Sequence, residues 1–133
     1  MPPFLPPKTS HKEFTLVLDM DETLIHYNHD ADSSVCDDEF GGELLVRPGA
    51  LEFLQEMSQA YELVIWTAAT QDYADWVLDK IDTEGLISHR LYRQHVSSLP
   101  DHGYIKDLHL MGRSLAKTLI VDNRSANFEN LPQ

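Results

Sequence analysis

Reactive side chains stand directly after three short apolar runs of the sequence. The runs, each with the polar residues that follow it, are Phe14–Leu18 with Asp19 and Asp21, Glu62–Trp66 with Thr67, and Thr118–Val121 with Asp122 and Asn123. Runs of this length and β-branched content favour strands buried on both faces, as in a parallel sheet. Because ligands of such sheets bind beyond the carboxyl ends of the strands, we expect these groups at one edge.

The spacing of these groups suits phosphoryl transfer. Asp19 and Asp21 are two residues apart, so their side chains point to the same side of an extended chain. Two such charges about 4 Å apart repel by about 1 kcal/mol in water and about 4 kcal/mol at an effective dielectric constant of 20, so the pair needs a cation or a shared proton. Oxygen ligands suit Mg²⁺, which also binds substrate phosphate. The candidate ligands are Asp19, Asp21, Asp122 and Asn123, and Lys106 would add positive charge on the far side of the phosphate.

Helices are predicted between the apolar runs. Pro48–Tyr61 has apolar residues at helical spacing, and Pro48 suits a first turn. A second helical stripe follows Thr70, a candidate N-cap, and should end near Gly85. A weaker strand is predicted near His89–Gln94. The alternation predicts an α/β fold, a three-layer open parallel sheet with helices on both faces.

Two segments lie outside this pattern. Met1–His11 holds four of the seven prolines and is interpreted as an extended arm or a linker, ahead of a domain over residues 12–133. His29–Glu43 is rich in acidic residues. Two interpretations of it stay open: a solvated acidic loop, or a short flap, a small hairpin inserted after the first strand.

Composition limits the classes of function. The 133 residues suit one domain, and 10 Lys and Arg against 22 Asp and Glu give a net charge of −12. This balance argues against nucleic acid or an anionic membrane as the main partner. The single Cys36 cannot form an internal disulfide, and no apolar run approaches the ~18 residues of a membrane span. We therefore expect an intracellular protein, nuclear or cytoplasmic, without a transmembrane segment.

Four motifs and a closing Asp-Asn pair occur in order along the chain. They are Leu18–His26 (LDMDETLIH), Val46–Gly49 (VRPG), Ile65–Ala68 (IWTA), Tyr92–His95 (YRQH) leading to Tyr104–Leu108 (YIKDL), and Asp122-Asn123. This series resembles the haloacid dehalogenase superfamily, and most closely its branch of small C-terminal-domain phosphatases and NLI-interacting-factor-like phosphatases of nuclear-envelope type. The resemblance covers about Phe14 to Phe128 and implies the corresponding fold.

The resemblance implies roles for the matching residues. Asp19 would be the nucleophile that forms an aspartyl-phosphate. Asp21 would act as general acid and then as general base, with its backbone carbonyl on Mg²⁺. Thr67 and Lys106 would bind the phosphoryl oxygens and stabilise their charge.

The remaining assignments concern the metal end and the substrate. The resemblance implies that Asp122 and Asn123 bind the metal. Thr23 is expected to orient the first loop, and we group it with the substrate-binding residues. Arg124 adjoins the metal end and is a candidate substrate contact, although the family usually has Ser-Pro where this chain has Arg124-Ser125.

Two further departures from the family concern the segments around the site. The stretch between His26 and Arg47 is shorter and more acidic than the family's substrate-facing hairpin, so no peptide preference carries over. Relatives also continue past the position of Gln133 with one more parallel strand and a helix. The strand at Thr118–Val121 is therefore expected at an exposed edge, to be covered by a missing segment or by a partner.

The resulting prediction is a Mg²⁺-dependent phosphatase that acts on phosphoserine or phosphothreonine in proteins. A first alternative is a non-catalytic family member that serves as a scaffold or import receptor subunit. The intact set of Asp19, Asp21, Thr67 and Lys106 argues against it. A second alternative is a small-molecule phosphatase, which usually carries a larger cap domain than His29–Glu43 would form.

Overall fold

The computed structural model describes residues 3–6, 12–28, 43–99 and 103–122. The strands are β1 (Phe14–Leu18), β2 (Ile25–Asn28), β3 (Glu43–Val46), β4 (Tyr61–Trp66), β5 (His89–Leu91), β6 (Ser97–Leu99), β7 (Gly103–Ile105) and β8 (Thr118–Val121). The α-helices are α1 (Ala50–Met57) and α2 (Gln71–Ile81). Single 3₁₀ turns lie at Arg93–His95, Leu108–Leu110 and Leu115–Lys117.

The main sheet has four parallel strands in the order β5-β4-β1-β8. Strand β1 lies between β4 and β8, and Leu18 is the register partner of both Ile65 and Val121. The predicted α/β class and parallel sheet are confirmed, and β1 and β8 have the bounds expected from the sequence. Within the described ranges, β8 is an edge strand.

The order of the strands explains which face each connection covers. The chain moves from β1 to β4 to β5 in one direction, and right-handed crossovers place α1 and α2 on the same face. The return from β5 to β8 runs the other way, so its 3₁₀ turn at Leu108–Leu110 covers the opposite face. Both faces thus have helical cover, by α-helices on one and by short 3₁₀ structure on the other.

Residues 3–6 also pack on this second face. Leu5 is 4% exposed, and the backbone N–H groups of Phe4 and Leu5 donate to the carbonyls of Leu110 and Met111 at 2.9 and 3.0 Å. The ring of Phe4 meets Trp66 edge-on at 6.0 Å. The described part of the N-terminal arm therefore belongs to the core, while the domain boundary after residue 11 stays a prediction.

The acidic segment begins and ends in paired strands. Strands β2 and β3 are antiparallel, with Ile25 opposite Val46 and Asn28 opposite Glu43. Residues 29–42, for which a loop or a short flap was expected, lie outside the described residues. The structure shows the paired base of this segment, formed by β2 and β3.

The helix ends differ in detail from those expected. The first helix begins only at Ala50 because Gly49, its N-cap, has a φ of 85°, which is incompatible with an earlier start. Thr70 is the N-cap residue of α2, but its side chain makes no capping hydrogen bond. No helix among the described residues is long and apolar enough to cross a membrane.

A buried ion pair ties β4 to the chain after the 3₁₀ turn at Leu108–Leu110. Glu62 is 3% exposed, and Arg113 donates to both of its carboxylate oxygens at 2.7 Å. The Thr15 hydroxyl donates to the same carboxylate at 2.9 Å. Burial acts to raise the pKa of Glu62, but the hydrogen bonds from Arg113 and Thr15 outweigh it and hold the pKa below its usual value.

We expect Glu62→Gln to lower the free energy of unfolding at neutral pH by about 2 kcal/mol, somewhat less than the loss of a whole partner from a buried pair. A folded-state pKa below the unfolded value of 4.5 makes the contribution of Glu62 complete above pH 4.5. The contribution disappears as the pH falls through the folded-state pKa, so the difference in Tm from the parent should narrow there.

Thermal unfolding followed by circular dichroism at several pH values measures this difference. The exposed Glu56 offers a matched control, since Glu56→Gln should leave Tm nearly unchanged throughout. A Tm difference for Glu62→Gln that stays constant from neutral pH to well below 4.5 would contradict the expectation.

Candidate active site

A buried ammonium group joins two carboxylates at the carboxyl edge of the sheet. Lys106 Nζ lies 3.1 Å from Asp19 Oδ1 and 2.5 Å from Asp122 Oδ2. The side chains of Lys106 and Asp122 are 3% and 1% exposed, and that of Asp19 is 11% exposed. The structure therefore brings together three of the residues singled out from the sequence.

The ends of β1 and β8 place the two carboxylates. The chain leaves β1 for β4 on one side and reaches β8 on the other, so the strand order reverses between β1 and β8. Such a reversal is the usual ligand crevice of an open α/β sheet. The Asp19 N–H donates to the Val121 carbonyl at 2.9 Å, which extends the β1–β8 pairing by one residue and sets Asp19 beside Asp122.

Lys106 is placed by the segment between β7 and the following 3₁₀ turn. Ile105, the last residue of β7, and Leu108, the first of the turn, are both buried. Asp107 caps the turn by accepting a hydrogen bond from the His109 N–H at 3.1 Å. The backbone is thus held both before and after Lys106, which fixes the point from which its side chain extends.

Lys106, Asp19 and Asp122 together carry an excess of negative charge. Burial raises the pKa of Asp19, the Lys106 ammonium lowers it, and the nearby Asp122 carboxylate raises it again. The net result is a pKa above its ordinary value of 3.8. One ammonium between two carboxylates cannot balance both, so the site favours a further cation or proton.

Asp21 lies on a turn just after this group. The N–H groups of Thr23 and Leu24 donate to the Met20 carbonyl at 3.3 and 2.9 Å, while the Met20 side chain is fully buried. Glu22 has a φ of 65°, in the left-handed region that favours glycine. Thr23 therefore takes part in the turn through its backbone, and its orienting role stays a prediction.

The structure adds one contact that the sequence did not reveal. The Tyr73 hydroxyl donates to Asp21 Oδ1 at 3.2 Å. Tyr73 lies in the first turn of α2, which begins four residues after Thr67. A helix that follows a parallel strand starts at the edge of the sheet where ligands bind. The position of Tyr73 in the first turn of such a helix was therefore the sequence feature that could have indicated its contact with the site.

Thr67 is 1% exposed at the end of β4. Its N–H donates to the Leu91 carbonyl at 2.9 Å, and its hydroxyl oxygen accepts from the Ala69 N–H at 3.0 Å. A hydroxyl that accepts in this way can still donate its own hydrogen.

Arg93, which was not singled out from the sequence, donates from Nε to the Ala68 carbonyl at 2.7 Å and fixes the same loop. Asn123 and Arg124 lie outside the described residues.

The backbone of Glu22 provides a test of the turn that carries Asp21. Replacement by glycine should relieve about 1 kcal/mol of left-handed backbone strain, whereas replacement by alanine should keep that strain. Both variants lose the exposed ion pair between Glu22 and His26, which is worth little. We therefore expect Glu22→Gly to have a higher Tm than Glu22→Ala in thermal unfolding, and equal Tm values would contradict this reading of the turn.

Comparison with known proteins decides the family. The sequence profile of the NLI interacting factor-like phosphatase family matches residues 14–133, nearly the whole chain. The chain belongs to this family. Fission yeast Fcp1, an RNA polymerase II CTD phosphatase solved as a variant bound to beryllium fluoride, superposes on this family member with a TM-score of 0.67. The two are 26% identical over 86% of this chain and 38% of that one, and the fold is of haloacid dehalogenase type.

Relatives of known sequence are more similar still. "Phosphatase PSR1" of Saccharomyces cerevisiae is 38% identical over 89% of this chain and 29% of its own length. The human "CTD small phosphatase-like protein" is 39% identical over 85% of this chain and 44% of its own. This family member thus spans less than half the length of these relatives.

Proposed function

We propose that this chain is a phosphatase that hydrolyses phosphoserine or phosphothreonine in proteins through a phosphoenzyme on Asp19, in a Mg²⁺-dependent reaction. The observation that carries the proposal is the Lys106 ammonium set between Asp19 and Asp122. Family membership supports it, because the family is described as phosphatases, one relative is named Phosphatase PSR1 and Fcp1 is an RNA polymerase II CTD phosphatase.

Asp19 is suited to attack phosphorus. It lies at the end of a central strand, with its backbone fixed by Val121 and its carboxylate held by Lys106. Such a carboxylate is pre-oriented, and positioning supplies much of the rate of phosphoryl transfer. The same ammonium would stabilise charge on the phosphoryl oxygens, with the Thr67 hydroxyl as a further donor.

Asp21 is suited to proton transfer because it is more exposed and lies on a turn. In the first step the Asp19 carboxylate attacks phosphorus, the bond to the serine or threonine oxygen breaks, and Asp21 gives that oxygen a proton. In the second step water attacks phosphorus, Asp21 takes a proton from it, and the bond from phosphorus to Asp19 breaks. Each carboxylate returns to its starting state.

The donor set fits Mg²⁺. With Asp21 protonated for the first step, Asp19, Asp122 and Lys106 carry one net negative charge before a phosphate dianion binds, so a divalent cation offsets the repulsion. Asp19, Asp122 and the Asp21 backbone carbonyl would hold it, together with Asn123. When bound, Mg²⁺ neutralises charge on the phosphoryl group.

The substrate class and site of action extend the proposal. A phosphoprotein is favoured because the human relative and Fcp1 are named for C-terminal-domain phosphatase activity. The single cysteine and the net charge of −12 favour an intracellular location, nuclear or cytoplasmic, without nucleic acid as a partner. Fractionation of cells that express a tagged chain tests the location.

Hydrolysis of an aryl phosphate by this chain should require Mg²⁺ and should be abolished in Asp19→Asn. The reason is that the nucleophile is lost in the variant, while charge neutralisation is lost when chelator removes the metal. Release of nitrophenolate measures both effects. The exposed Asp72 provides a control, since Asp72→Asn should keep full activity. Activity that survives excess chelator would contradict the metal assignment.

Asp19→Asn and Asp21→Asn should fail in different ways. Beryllofluoride binds a carboxylate as an analogue of acyl phosphate, so it should be trapped by Asp21→Asn but not by Asp19→Asn. Asp21→Asn should also accept a phosphoryl group slowly from a substrate with a good leaving group, which needs little protonation. Fluorine NMR and mass spectrometry measure these two properties. Trapping on Asp19→Asn alone would exchange the two roles.

A further inference from the structure

Tyr73 connects α2 to the turn that carries Asp21. Its hydroxyl donates to Asp21 Oδ1 at 3.2 Å across 52 residues of sequence. Asp21 is only partly buried, and the next residue, Glu22, has a left-handed backbone. The hydrogen bond from Tyr73 therefore gives the Asp21 carboxylate a donor at a fixed position. The turn alone would restrict the rotamer of Asp21 less.

The Tyr73 ring is itself supported along the helix. It stacks on Trp76, three residues later, with ring centroids 6.4 Å apart and an interplanar angle of 29°. The ammonium of Lys80 lies 4.9 Å from the centroid of the Trp76 ring, and both aromatic rings pack against the core cluster. Residues three and four apart are neighbours on a helix surface, so the helix geometry sets the position of the hydroxyl.

We propose that Tyr73 is a positioning residue for Asp21 and that Trp76 holds the Tyr73 ring in place. This inference rests on the proposed phosphatase function. A phenol that donates to Oδ1 holds the Asp21 carboxyl group in one orientation, in which its proton would face the oxygen of the leaving group. Loss of the hydroxyl should therefore impair proton donation more than phosphoryl transfer itself.

The leaving group separates these two effects. A serine oxygen is a poor leaving group and needs the proton of Asp21, whereas a dinitrophenolate departs without one. The ratio kcat/KM reports the steps up to the first phosphoryl transfer. We expect Tyr73→Phe to lower kcat/KM for a phosphoserine peptide about 10-fold, a part of the 10²–10⁴-fold effect of general acids, and to change that for dinitrophenyl phosphate by less than about twofold.

Tyr92→Phe is the matched control. The Tyr92 hydroxyl donates to Asp75 at 2.6 Å, so this variant also loses a hydroxyl bound to an aspartate of α2, but at a position outside the site. Both substrates should then show equal and small changes. Trp76→Leu keeps the Tyr73 hydroxyl and removes the stacked ring, and it should lower kcat/KM for the peptide about threefold while sparing the activated ester.

The measurements are made below the thermal transition of every variant, which circular dichroism defines. Equal losses with both substrates in Tyr73→Phe, or no loss with either, would overturn the inference while the phosphatase function stands. Failure of the unaltered chain to hydrolyse both substrates would overturn the proposed function and the inference with it.

Discussion

The buried Lys106 ammonium is the interaction on which the candidate site depends. It lies between Asp19 and Asp122, carboxylates from two adjacent strands, and is 3% exposed. A buried charge is costly unless it is paired, and removing one partner of such a pair costs about 3–5 kcal/mol. Without the ammonium the two carboxylates would also repel each other across the β1–β8 boundary. The same contact therefore holds this edge of the sheet together and, in the proposed function, prepares it to receive a phosphate.

The hydrophobic core determines that these groups meet. Leu16 and Leu18 of β1 belong to the cluster beneath α1 and α2, while Val17 belongs to the cluster on the other face. A slip of β1 by one residue would exchange Leu16 and Leu18 with Val17 between the two clusters and move Asp19 toward a buried position, so close packing and the charge of Asp19 together fix the register. That register sets Leu18 beside Val121 and hence Asp19 beside Asp122. The geometry of the charged site is thus a consequence of apolar packing further along the same strands.

The sequence predicts the main sheet well and the small elements around it poorly. Strand β8 has the expected bounds because a short apolar, β-branched run favours a strand. The burial on both faces expected for this run is wrong, since Leu119 and Val121 are 50% and 42% exposed at this edge. Strands β6 and β7 have three residues each and form a sheet of their own, and Ser97–Leu99 has no pattern that separates strand from loop. The burial of Leu5 depends on residues far away in sequence, as does the contact between Tyr73 and Asp21. Strand ends and family motifs indicated Asp19 and its partners, but neither reveals a tertiary contact made from a helix.

The two aspartates of the first motif are held by different contacts. Asp19 continues the β1–β8 pairing and is held by a buried ammonium. Asp21 lies one residue before a left-handed position, is partly exposed and has a hydroxyl partner at 3.2 Å. In the proposed reaction Asp19 must keep one direction of attack, which favours a fixed carboxylate. Asp21 must face a serine or threonine oxygen in one step and a water in the next, which suits a carboxylate on a turn outside the sheet, oriented by the Tyr73 hydroxyl. A single two-residue spacing therefore serves both needs because the backbone pairing with β8 reaches Asp19 and stops before the turn that carries Asp21.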